Sequence, residues 1–81
     1  MRALPQVMKM RTFSAYIEWD PELKVYYGVV PGIPGAYSQA DTIDELAVNL
    51  KEVLELCLET TDVEVEALPK FVGIQQIEIA V

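Results

Sequence analysis

The stretch from Pro31 to Glu45, PGIPGAYSQADTIDE, limits what this chain can fold into more than any other. Pro31 and Pro34 fix φ and remove two backbone donors, while Gly32 and Gly35 can adopt the positive φ that β-branched residues resist. Two Pro-Gly bends so close together end any strand before them and swing the chain round. Further on, Thr42-Ile43-Asp44-Glu45 has capping-box spacing. The Thr42 hydroxyl can accept from the Glu45 N–H, and the Glu45 carboxylate can reach back to the Thr42 N–H. Asp41, Asp44 and Glu45 also lie where a helix dipole favours negative charge. The stretch therefore joins a β-hairpin to an amphipathic helix, with Pro31, Gly35, Thr42 and Glu45 as its structural residues.

The hairpin is legible upstream. From Arg11 to Trp19, Phe13, Ala15, Ile17 and Trp19 alternate with Thr12, Ser14, Tyr16 and Glu18, which predicts a strand with the odd positions facing a core. Asp20 to Lys24 reads as a turn opened by Pro21. Val25 to Val30, VYYGVV, is the returning strand; Gly28 within it marks a bulge or a close backbone approach. Ala36 to Gln39 is long enough for a short third strand. A helix is expected from about Ile43 to about Glu59. Ile43, Leu46, Ala47, Leu50, Val53, Leu54, Cys57 and Leu58 form its apolar stripe. Asp44, Glu45, Asn49, Lys51, Glu52, Glu55 and Glu59 form its polar face, and Val48 and Leu56 lie off the stripe.

Thr60 to Lys70 reads as an acidic, irregular link closed by Pro69, and Phe71 to Val81 as a last strand. A parity switch near Gln75-Gln76 places Ile77, Ile79 and Val81 on one side and Ile74 on the other. The expected fold is α+β: a three- to four-stranded antiparallel sheet with one helix on one face, in the order β-β-β-α-β. One helix leaves the other sheet face bare, with Tyr16, Tyr26 and Ile74 expected on it.

The totals bound the function. Eighty-one residues make one domain, expected at residues 11 to 81 behind an N-terminal arm of residues 1 to 10. A chain this short buries only roughly 60–65% of its unfolded surface. One cysteine, Cys57, permits no internal disulfide, so a homo-oligomer is the expected support for a small core. There is no histidine, hence no usual general base or transition-metal ligand. The net charge of −7 and the scattered basic residues argue against direct nucleic-acid binding and suit a basic protein partner. Met1 to Met10 lacks the apolar run of a signal peptide, and no stretch approaches a membrane span, so a cytoplasmic location is expected.

No constellation points to catalysis. Pro31 to Gly35 lacks the donors and the Gly-Lys-Ser/Thr of a phosphate loop. Cys57 falls on the helix stripe as a small hydrophobe. Glu18, Asp20 and Glu22 cluster at the first turn and Asp41, Asp44 and Glu45 at the helix start, but capping explains the second group. No histidine activates Ser14, Ser38 or a threonine. No cofactor, metal or enzymatic activity is expected.

The ordered set Phe13-Ser14-Ala15-Tyr16-Ile17-Glu18, Tyr27-Gly28-Val29-Val30-Pro31, Gly35, Ser38, Asp41-Thr42 and Asp44-Glu45, followed by the helix run Asn49 to Glu59, resembles the HicB family of antitoxins. The resemblance covers about residues 11 to 60. Ala40 stands where that family usually has glycine, and Leu46 where it usually has alanine. The resemblance implies a fold likened to a partial RNase H or double-stranded-RNA-binding domain. It also implies a partner, a small basic mRNA-cleaving toxin of the HicA type. Many members carry a C-terminal DNA-binding domain, which is not expected after Val81. The leading expectation is a HicB-like antitoxin module, with Tyr16, Glu18, Tyr26, Glu52 and Glu55 as partner-binding candidates. Two alternatives stand beside it: a degenerate metal-dependent nuclease using Glu18 and Asp20, and a stand-alone oligomeric ligand-binding domain.

Overall fold

The computed structural model describes residues 10 to 81. The expected arm, residues 1 to 10, falls outside the described residues except for Met10. Three strands, β1 (Tyr16–Asp20), β2 (Val25–Val29) and β3 (Tyr37–Ala40), form an antiparallel sheet in the order β1-β2-β3. Helix α1 (Ile43–Thr60) follows, then a single 3-10 turn, Val65–Ala67.

Each junction has a local cause. At the first turn the Asp20 carboxylate accepts from the N–H groups of Glu22 (2.9 Å) and Leu23 (3.1 Å). The Lys24 N–H donates to the Asp20 carbonyl at 2.7 Å, with Lys24 itself at φ 55°. The second bend uses its glycines as their positions require, Gly32 at φ 87° and Gly35 at φ 82°. The Val30 N–H donates across the loop to the Ala36 carbonyl at 2.8 Å, and Ile33 is turned inward and buried. Thr42 caps α1, its hydroxyl accepting from the Glu45 N–H at 3.1 Å.

The helix packs on β2 and β3 and leaves β1 uncovered. Leu46 and Leu50 are buried with Ala40, and half-buried Tyr26 leans on them. A second buried group, Val30, Ile33 and Ala36, gathers Phe13, Leu54, Cys57, Leu58, Val63 and Leu68 around it. Gly28 is the close approach anticipated from the sequence. A Cβ there would lie 2.8 Å from Leu50 Cδ1 and 3.2 Å from Leu46 Cδ2.

Three details differ from expectation. The first strand begins at Tyr16 rather than Arg11, because its partner strand ends at Val29, opposite Tyr16, and the chain then turns away. Phe13 and Ala15 still point at the core. Ile43 and Ala47, placed on the helix stripe, are exposed, whereas Asn49 is half-buried. An 18-residue helix spans about 27 Å and overhangs strands of four or five residues. Finally, Phe71 to Val81 joins no sheet among the described residues and is exposed along its length.

Candidate partner surface

The strand pairings decide which side chains share a face. Gly28 contacts the helix, so Tyr26 of β2 points the same way, as does buried Val30 just past the end of the strand. Their register partners put Ile17 and Trp19 of β1, and Ser38 and Ala40 of β3, on that side too. The opposite face carries Tyr16 and Glu18 from β1, Tyr27 and Val29 from β2, and Tyr37 and Gln39 from β3. No helix covers it. Tyr16, Tyr27 and Tyr37 are each exposed. The Tyr27 and Tyr37 rings lie 6.2 Å apart, and the Tyr16 ring meets Phe71 edge-on at 5.9 Å. Rings with one polar edge and a large apolar body suit a surface that is wet when free and dry when bound.

The sequence-derived candidates therefore divide among three places. Tyr16 stands on the bare face, where it was expected, and Glu18 shares that face. Tyr26 does not; it is half-buried on the helix side, its ring 4.8 Å from that of Trp19. Glu52 and Glu55 are exposed on α1, on the side turned away from the sheet, and so on the other surface of the molecule from Tyr16. Ile74, also placed on the bare face, belongs instead to the projecting C-terminal segment. Tyr27 and Tyr37 were missed. The sequence gives no signal that separates Tyr26 from Tyr27, because Val25 to Val30 is apolar on both parities; the packing of Leu46 and Leu50 on Gly28 decides it.

A groove of about 370 Å³ opens at the end of the sheet, between Met10–Ser14, the Val30-Pro31 corner and Val65–Phe71. Its rim holds the Arg11–Glu66 ion pair, at 2.7 Å between Nη1 and Oε1. The hydrogen bond and charge of Arg11 hold the Glu66 carboxyl below its ordinary pKa. Glu18, Asp20 and Glu22 line a shallower hollow with Trp19, Pro21 and Tyr27. The Asp20 carboxylate there is engaged by the turn. Among the described residues, no three acidic or thiol side chains gather as a metal site. Cys57 is a half-buried free thiol packed against the core beside Gly35. No helix among the described residues is long and apolar enough to cross a membrane.

The class of molecule is thus a small α+β domain with one sheet face covered by a helix and the other presenting exposed tyrosines. The family model described as the HicB-like antitoxin of bacterial toxin-antitoxin systems matches residues 13–80, and the chain belongs to that family. A UPF0150 protein of Thermotoga maritima is 45% identical over 69 residues, which is 85% of this chain and 91% of the relative. A UPF0150 protein of Synechocystis is 43% identical over 72 residues, 89% of this chain and 100% of the relative. One from Archaeoglobus fulgidus is 38% identical over 68 residues, 83% of this chain and 93% of the relative. No solved structure matches significantly.

Proposed function

We propose that this domain is the toxin-binding half of a toxin-antitoxin pair: a non-enzymatic binder that masks a small, basic, mRNA-cleaving toxin of the HicA type. The observation that carries the reading is the family match over residues 13–80. The chemistry of the chain supports it. A net charge of −7 favours a basic partner, and the bare face offers Tyr16, Tyr27 and Tyr37 with Glu18 beside them. Exposed tyrosines at the centre of a docking face are the kind of residue that dominates binding energy. The toxin is neutralised by occlusion, its basic RNA-binding surface being held against this face.

The test is co-expression with the small basic protein encoded beside this chain. Growth arrest by that protein should be relieved by the native chain. The double variant Tyr27→Ala/Tyr37→Ala should lose the relief while keeping its helical circular dichroism. Relief by the double variant equal to that of the native chain would place the contact elsewhere. Absence of any toxic neighbour, or of any complex with it, would sink the reading.

A further inference from the structure

The segment Phe71–Val81 has the composition of a strand and the surroundings of none. Val72, Ile74, Ile77, Ile79 and Val81 are all at least three-quarters exposed. The described chain measures 70 × 26 × 20 Å, with a radius of gyration of 16.6 Å against roughly 12 Å for a compact chain of this length. The segment projects from the body, yet it lies inside the region that defines the family, which runs to residue 80. Within it Ile77, Ile79 and Val81 alternate with Glu78 and Ala80, the pattern of a strand with one buried face.

The sheet has a matching vacancy. β1 is an edge strand of five residues, as many as Ile77 to Val81 contains. It carries no proline or lysine to guard its open backbone. The helix does not reach over it, so Ile17 and Trp19 remain 46% and 49% exposed on the helix side. The other edge, β3, is shorter, carries Ser38 and Gln39, and lies under the helix. Glu78 is the one charged side chain between Phe71 and Val81; in a pairing with β1 it shares a face with Glu18 and Asp20, both on the solvent-facing edge strand, where salt screens their repulsion.

We propose that Ile77–Val81 of one copy pairs with the β1 edge of a second copy, and reciprocally, giving a strand-exchanged homodimer. Phe71 is held against Tyr16 at the start of its own β1, and from there the chain leads outward rather than back along that edge. Reciprocal exchange closes both β1 edges under a two-fold axis and leaves no free tail. It places Ile77, Ile79 and Val81 beside Ile17 and Trp19, extending the apolar layer that the helix leaves incomplete. The bare tyrosine face stays open, so the dimer does not depend on the antitoxin reading and its failure would leave that reading intact.

Light scattering on the full-length chain, without a toxin, tests it. The native protein should have twice the 9.1 kDa chain mass. Ile79→Pro, which removes a ladder donor, should fall to the single-chain mass with its helical circular dichroism retained. Glu78→Ala, on the other side of the strand, should stay dimeric. A mixing experiment guards against misfolding of the proline variant. In a Cys57→Ala background, Ile17→Cys on one chain and Ile79→Cys on another should form a disulfide between chains after mild oxidation. A monomeric native protein, or a dimer that survives Ile79→Pro, overturns the proposal. So does a disulfide that forms only within a chain carrying both cysteines, which would show the tail folding back onto its own edge.

Discussion

At the scale of single residues, Gly28 is the most consequential position in the sheet. The ends of Leu50 and Leu46 occupy the space where any Cβ would stand, and both leucines are themselves buried, so they have little room to give. Gly28→Ala should therefore destabilise the domain by about 1–3 kcal/mol, the usual cost of overpacking. In the double variant Gly28→Ala/Leu50→Ala the added methyl finds space, so the two losses should sum to more than the measured one. Urea unfolding of the four chains closes that cycle; strict additivity would mean that the contact is not made. Glu66 offers a second residue-scale test. Its folded-state pKa is depressed by Arg11, so its contribution to stability is present above the ordinary value of 4.5 and lost as pH falls through the lowered one. The group is exposed, and the effect is small. Followed by NMR, the Glu66 carboxyl should titrate below the ordinary value of 4.5, and Arg11→Gln should move it back up.

At the scale of elements, the sequence carried the fold most clearly where one local interaction decides the conformation. The start of α1 is such a place. Thr42 accepts the Glu45 N–H, and Asp44 and Glu45 sit in the first turn. Thr42→Ala should cost about 1 kcal/mol, seen as a lower urea midpoint with an unchanged slope. The two Pro-Gly bends were legible for the same reason, since positive φ at Gly32 and Gly35 is a property of the residues themselves. The orientation of β2 was not. Val25 to Val30 is apolar on both parities, so alternation cannot say whether Tyr26 or Tyr27 faces the helix. Only the nesting of Leu46 and Leu50 on Gly28 settles it, and that is a tertiary contact. The N-terminal extent of β1 failed on similar grounds. Phe13 and Ala15 keep the alternation because they face the core, but a strand also needs a neighbour, and β2 has already ended at Val29. The last segment shows the converse. Its sequence reads as a strand, and no strand among the described residues pairs with it.

At the scale of the whole molecule, two small buried groups of three residues each carry a chain whose composition is about half hydrophobic. Much of that apolar surface is still available for partners, and charge decides which partners approach. With thirteen acidic and six basic residues, the domain carries a net charge of −7, whose field extends over roughly a Debye length and favours basic over acidic partners. For the proposed toxin, steering should thus appear in the association rate and tyrosine packing in the dissociation rate. Raising salt from about 0.05 to about 0.5 M should slow association by roughly tenfold or more while leaving dissociation nearly constant. Tyr27→Ala should do the reverse, speeding dissociation with little change in association. Stopped-flow binding at several ionic strengths separates the two. An association rate indifferent to salt would remove electrostatic steering from the mechanism, and the −7 charge would then act only to keep copies of the domain apart until their edges meet.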